Sequence, residues 1–365
     1  MQFSTDFAKF YDLAFCLNDY CFDIYYLIYI QYHLHYSLRS VAKKIKHILY
    51  NELSGWHVQI LIFGHYSVCR FSAVFIYCQL KGRIIPRYVS LVKDDCELPS
   101  NTLRVLSIET TGRLDDFGVC ISPLFKYNDH IRAMEVIEVD KLFGASQFVF
   151  YNHSMGSNVS KVLNRYTKQG TVQLLQWPIK AVYSSGVHYK GQMAALNDCL
   201  YRLYSKVKYI VVHDMDETIV PRKHRTWSEM INYIKQKYNE SDKFGAFDLK
   251  SYFFWDANEK KDKNEIKLMT LQATQRTRQP MVCHKRSKYI VEPRKVQTTG
   301  IHFVWKYNMG FGELCVPIEL GDVHHYRKYI IKEYSRENGI KDDNMHRFES
   351  DLKKIFKENN IKVLK

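Results

Sequence analysis

Between Val119 and Val212 the chain alternates short β-branched or aromatic runs with stretches whose apolar residues recur at helical spacing. That alternation restricts the fold to a parallel or mixed α/β sheet. Val119–Phe125, Gln147–Tyr151, Val172–Trp177 and Tyr209–Val212 read as strands. Between them, Ile131, Met134, Ile137, Val139 and Leu142 predict a helix stopped by Gly144, and Val159, Val162, Leu163 and Tyr166 a second, ended by Gly170. A third, over Gln192–Tyr204, carries Ala195, Leu196, Cys199, Leu200 and Leu203 on its apolar side. Upstream, Val58–Phe63, Phe71–Tyr77 and Arg87–Val92 read as the opening of a sheet.

The run Tyr209–Val212 ends abruptly in an acidic cluster, Asp214, Asp216 and Glu217, and Pro221 stops any regular continuation. Along an extended segment Asp214 and Asp216 share one face and Met215 takes the other. Two carboxylates so placed can share one divalent ion, and hard oxygen ligands suit Mn²⁺ or Mg²⁺ with positions left for substrate phosphates. Ligands of open α/β sheets also collect at the carboxyl ends of strands, where this cluster falls. A solvated acidic turn after an ordinary strand is the competing reading.

The chain has 365 residues, 46% hydrophobic and 25% charged, enough to bury a real core and unlike a disordered chain. Residues 56–365 read as one catalytic domain and residues 1–55 as an N-terminal extension. The net charge of +15 is spread over short runs such as Lys43-Lys44-Ile45-Lys46, so solvated faces explain it and no nucleic-acid partner is expected. An anionic small substrate or a negatively charged membrane surface fits that charge equally well. Ile24–Leu38 carries no Asp, Glu, Lys or Arg, but it falls short of the ~20 residues of a membrane helix. It also contains His33 and His35 and has its basic flank on the carboxyl side, which makes it a poor signal-anchor candidate. Nine cysteines without zinc spacing suit either a few disulfides or a reduced core, and Asn152, Asn158 and Asn239 are glycosylation acceptors if the chain is secreted.

Beyond the cluster, residues 224–238 read as a helix and Phe247–Trp255 as an aromatic strand ending at Asp256. His302 follows Gly300-Ile301 in an apolar stretch read as a strand through Trp305, and residues 328–365 read as a solvated helix packed by one face.

Taken in order, several pieces resemble glycosyltransferase family 92. They are Ile121-Ser-Pro-Leu-Phe125, Glu135-Val-Ile-Glu138, Gly144–Tyr151, Val162-Leu163 with Tyr166, Gly170-Thr-Val with Trp177, and Gln192 with Asn197-Asp-Cys199. Asp214-Met-Asp-Glu217 with Pro221, Lys288–Pro293, Gly300-Ile-His302 and His325-Tyr-Arg327 complete the set. The resemblance implies a GT-A-type fold, a Rossmann-like mixed sheet flanked by helices, whose Asp-x-Asp motif holds Mn²⁺ on the diphosphate of a UDP-sugar. It further implies transfer of galactose with inversion to a glycan acceptor by a lumenal enzyme of the Golgi or another secretory membrane.

On that reading Asp214 and Asp216 are the metal carboxylates and His325 a third metal ligand. Gln192, Asp198, Glu217, Lys288 and His302 form the expected substrate-binding set, with Lys288 as a cation for the diphosphate. An inverting transferase needs a base for the attacking hydroxyl, and Asp256 is the nominee, with Glu313 second. Two alternatives stand beside it. Asp214-Met-Asp-Glu-Thr218 also looks like the opening motif of haloacid-dehalogenase-type phosphatases, although the only later acidic doublet, Asp342-Asp343, lies in a polar stretch with no strand before it. A catalytically inactive glycan-binding protein is the other.

Overall fold

The computed structural model describes residues 23–31, 46–48, 58–62, 71–79, 88–92, 103–104, 114–179, 188–239, 241–255, 267–327 and 339–358. The chain divides into two compact units, one comprising Met1–Arg113 with Ile179–Lys206 and the other Leu114–Pro178 with Val207–Lys365.

In the first unit, β1 (Asp23–Gln31) pairs antiparallel along its whole length with β4 (Phe71–Gln79), and β3 (Val58–Ile62) flanks β4 on the other side. A second small sheet joins β2 (Lys46–Ile48), β5 (Tyr88–Val92) and β6 (Leu103–Arg104). The strands after Trp56 therefore form sheets apart from the main one, and the first part of the uncharged run Ile24–Leu38 is a strand. No helix among the described residues is long and apolar enough to cross a membrane. The helix Gln192–Leu203, predicted from its spacing, also belongs to this unit.

The second unit is built on a seven-stranded mixed sheet. Its elements are β7 (Asp115–Ile121), α1 (His130–Phe143), β8 (Ala145–Asn152), α2 (Ser157–Lys168), β9 (Val172–Gln176) and β10 (Val207–His213). They are followed by β11 (Glu217–Pro221), α3 (Trp227–Lys237), β12 (Phe244–Leu249), β13 (Ser251–Trp255), β14 (Gln275–Arg276) and β15 (Lys288–Val291). The hairpin β16 (Val296–Thr299) and β17 (Val304–Tyr307), then β18 (Gly312–Cys315), β19 (Gly321–Tyr326), β20 (Ile340–Lys341) and α4 (Glu349–Glu358) complete it. The strand order is β18-β12-β15-β10-β7-β8-β9. From β10 to β9 all neighbours are parallel, whereas β15 runs antiparallel to both β10 and β12. This is the mixed α/β sheet flanked by helices that the alternation predicts.

Local chemistry explains the helices. Asp129 caps α1 by accepting from Arg132 N at 2.9 Å, and Gly144 ends it at φ 117°, a conformation that favours glycine. α2 buries Val159, Val162, Leu163 and Tyr166, the stripe read from the sequence. α1 goes further, burying Arg132, Glu135, Glu138 and Asp140 along with its apolar residues. Such groups stay charged in a core only when paired, and Glu138 accordingly accepts from Tyr166 Oη (2.6 Å) while Glu135 accepts from Thr270 N and Oγ1 (2.8 and 2.6 Å).

A five-stranded sheet, β11-β19-β13-β14-β20, completes this unit. The stretch read as one strand, Phe247–Trp255, is divided at Lys250 between the two sheets, with β12 in the first and β13 in the second. Both halves are buried, and the break falls at the polar pair Lys250-Ser251. The carboxyl region is corrected as well. β20 does precede Asp342, and the helix is confined to Glu349–Glu358 among the described residues.

Asp342 lies in a network, 2.7 Å from both Arg222 Nη2 and Arg276 Nε, and Arg222 also pairs with Asp322. Burial opposes its ionisation, but the two guanidiniums hold its carboxyl well below the usual range. A depressed pKa contributes stability above the unfolded value that is lost as pH falls through the folded one. Asp342→Asn is therefore expected to destabilise by about 2–3 kcal/mol at pH 7, the scale of charge-assisted hydrogen bonds. In urea unfolding, the gap from the parent should narrow as pH drops below about 4; a gap constant with pH would refute the assignment.

Candidate active site

Strand β10 ends at His213, and the next three residues form a tight turn closed by the Glu217 amide donating to Asp214 O at 3.1 Å. Asp214 and Asp216 are thus brought together by a turn and not by alternation along an extended strand. Asp214, Asp216 and Glu217 each offer a carboxylate oxygen, and these atoms lie within 4.8 Å of one another.

Register places the rest. Glu217 pairs directly with His325 across β11 and β19, and Phe253 pairs with His325 from the other side. His325 Nε2 sits 3.3 Å from Asp216 Oδ2, and Nδ1 sits 3.3 Å from Glu217 Oε1. Arg327 Nε donates to His325 Nε2 at 2.9 Å, so in this arrangement the Nε2 lone pair is held by the guanidinium and the proton of the neutral ring sits on Nδ1. The donor set, three carboxylates and one imidazole nitrogen, fits a hard divalent ion.

Lys288 is wholly buried beneath the turn, 2.7 Å from Asp214 Oδ2 and 3.1 Å from Glu217 Oε2. The structure seats this lysine, expected as a cation for the diphosphate, against the acids of the turn. For Asp214, burial raises the pKa, but the Lys288 ammonium and the hydrogen bonds from Lys288 and Ser122 overcome it and bring the carboxyl to about 2. Glu217 responds in the opposite sense, because burial pushes it up more than Lys288 pulls it down.

A second layer fixes the backbone of the turn. Arg132 Nε donates to Met215 O (2.9 Å), and its Nη2 donates to Glu217 O and Thr218 Oγ1 (both 3.3 Å). The Tyr326 amide donates to Asp216 O at 2.8 Å. His213, just before the turn, is clamped between Asp140 Oδ2 (2.8 Å) and Asp214 O (2.9 Å). Sequence reasoning missed Ser122, Arg132, Asp140 and Arg327 as members of this site. The available signal was the density of charge in an otherwise apolar helix, since Arg132 and Asp140 have nowhere polar to go except a partner.

These features lie within the span matched by a known family. The model of glycosyltransferase family 92 matches residues 115–363. The chain belongs to glycosyltransferase family 92. A β-1,4-galactosyltransferase, galt-1, of Caenorhabditis elegans is 26% identical over 198 residues, 50% of this chain and 46% of the relative. The family 92 protein F13G3.3 of the same organism is 23% identical over 227 residues, 57% of this chain and 41% of the relative. The chain thus matches less than half the length of either. Among solved structures, S. aureus TarS 1-349 in complex with UDP superposes with a TM-score of 0.26 at 10% identity, over 49% of this chain and 47% of the other. Glucosyl-3-phosphoglycerate synthase from Mycobacterium tuberculosis, in complex with Mn²⁺ and UDP, gives 0.26 at 9% identity over 50% and 58%. Superpositions this loose carry over no site residue.

The remaining family 92 candidates are placed as follows. His302 lies in a bend between β16 and β17, not in a strand, with Nδ1 3.3 Å from Ser287 O. Burial and the Lys288 charge lower its pKa to about 4, so it is neutral at pH 7. Gln192 and Asp198 are buried on the helix of the first unit, where Asp198 pairs with Arg202 at 2.6 Å. Asp256 lies outside the described residues. Glu313, on β18, accepts from Tyr307 Oη at 2.7 Å.

Proposed function

We propose that this glycosyltransferase is metal-dependent and moves a sugar, galactose, from a UDP-sugar to a glycan acceptor with inversion at the anomeric carbon. The observation that carries the reading is the turn Asp214–Glu217, three converging carboxylates at the end of a central strand with Asp216 half-exposed. Asp214, Asp216 and His325 are the residues proposed to hold Mn²⁺ or Mg²⁺. Such an ion, when bound, neutralises charge developing on the departing diphosphate.

The chain's own groups supply the rest. Lys288 keeps Asp214 ionised at neutral pH, so the turn presents its charge without first losing a proton. The acceptor hydroxyl oxygen forms the new bond to the anomeric carbon as the bond to UDP breaks, and Asp256, directly after β13, is proposed to take the hydroxyl proton. Glu217 and His302 remain proposed substrate-binding residues. Galactose as the donor sugar is supported by the likeness to a β-1,4-galactosyltransferase. Work in a secretory compartment, Golgi included, is supported by the disulfide Cys283–Cys315, since such bonds persist in oxidising surroundings.

The test is UDP release from a panel of UDP-sugars, with a glycan mixture as acceptor, in Mn²⁺ and in chelator. Release from UDP-galactose that stops in chelator is expected; release unaffected by chelator would refute metal dependence, and preference for another sugar would refute the donor.

A further inference from the structure

A second convergence of ligand-type side chains lies elsewhere in the same unit, independent of the transferase reading. Asp248 on β12, His284 in the loop before β15 and Glu313 on β18 bring one ligand atom each within 4.8 Å of the others. His284 Nε2 stands 3.4 Å from Asp248 Oδ2 and in contact with Glu313 Oε1. The disulfide Cys283–Cys315 ties the two outer segments together, with His284 directly after one cysteine and Glu313 two residues before the other. The loop carries His284 and Arg286 at φ 69° and 60°, so the ring is directed into the cluster by a backbone held in an uncommon conformation.

Asp248 is the independent pointer to a ligand. It is 1% exposed, yet neither of its carboxylate oxygens accepts a hydrogen bond among the described residues. The His284 amide also bears on it, but that N–H is directed at Ser287 Oγ (2.9 Å). A carboxylate taken out of water without donors is costly, and a coordinated cation is one of the few partners that relieves it. Glu313 is oriented for the same centre, because Tyr307 holds its other oxygen at 2.7 Å. His284 is half-exposed, which gives an ion a way in.

We propose that Asp248 Oδ2, His284 Nε2 and Glu313 Oε1 form a site for a divalent cation of the zinc class, distinct from the carboxylates of the Asp214–Glu217 turn. One imidazole and two carboxylates select a borderline ion over Mg²⁺ or Ca²⁺, and three protein ligands leave a position for water. The ion pins the disulfide-closed loop to the β12–β18 edge of the sheet.

The experiment is equilibrium dialysis of the full chain against Zn²⁺, with metal per chain read by mass spectrometry. The parent is compared with His284→Ala, Glu313→Gln, Asp216→Asn and the His284→Ala/Asp216→Asn double variant. His284→Ala and Glu313→Gln are each expected to remove about one zinc per chain, His284→Ala whether or not Asp216→Asn is present, and to abolish the rise in Tm that Zn²⁺ gives the parent. Asp216→Asn alone should leave that zinc in place, which separates failure of this site from failure of the proposed active site. Zinc uptake and Tm rise equal to the parent in both His284→Ala and Glu313→Gln would overturn the proposal. So would a parent that takes up no zinc, the outcome expected if Asp248 instead keeps a proton, its carboxyl raised to about 8 by burial and the Glu313 charge.

Discussion

Asp216→Asn is expected to lower chelator-sensitive UDP release by roughly 10²–10³-fold, the scale on which one preorganised charge contributes to stabilising a developing anion. The loss should fall on kcat, because the ion's charge matters most as the bond to the diphosphate breaks. Asp216 is half-exposed, and the backbone on either side of it is held by Arg132 and the Tyr326 amide, so the fold should not notice the change. A shift in stability within about ±0.5 kcal/mol is expected. Release within a few fold of the parent, at unchanged stability, would remove Asp216 from the metal set and with it the central claim about the turn.

Lys288→Met should produce the largest stability effect of any single substitution considered. The ammonium is fully buried between Asp214 and Glu217, and methionine fills its volume but returns no charge. Removing one partner of a buried ion pair typically costs about 3–5 kcal/mol because the other charge is left stranded. Asp214 has a folded pKa of about 2, below its ordinary value of 3.8. Its stabilising contribution is therefore present above pH 4 and disappears as pH falls towards 2. The parent-minus-variant difference in urea unfolding should shrink over that window. A variant as stable as the parent at pH 7 would show that the pair's attraction merely balances its desolvation.

Much of the second unit was legible because it was written in period. Ile131 to Leu142 and Val159 to Tyr166 repeat at helical spacing, the runs between them are β-branched, and each becomes the expected element. Legibility failed where long-range partners decide local conformation. Lys288-Tyr-Ile-Val offers a candidate cation but not its neighbours, which are two acids more than 70 residues upstream in sequence folded over it. Alternation put Asp214 and Asp216 on one face, but the chain turns after His213, so a two-residue period no longer applied. β12 and β13 belong to different sheets although the stretch reads as one strand, and the polar pair Lys250-Ser251 between Leu249 and the aromatic run Tyr252–Trp255 was the mark of the boundary. His325 was singled out through the resemblance alone, and register seats it opposite Glu217.

Arg132 reaches the turn only through carbonyl oxygens and the Thr218 hydroxyl, never through Asp214, Asp216 or Glu217 side chains. The scaffold thus dictates the path of the loop without reading which acids it bears. Shape and reactivity are consequently separable here. The occupant of position 216 can be exchanged to silence the chemistry while the same architecture persists, whereas a change at position 214 strands the buried Lys288 ammonium.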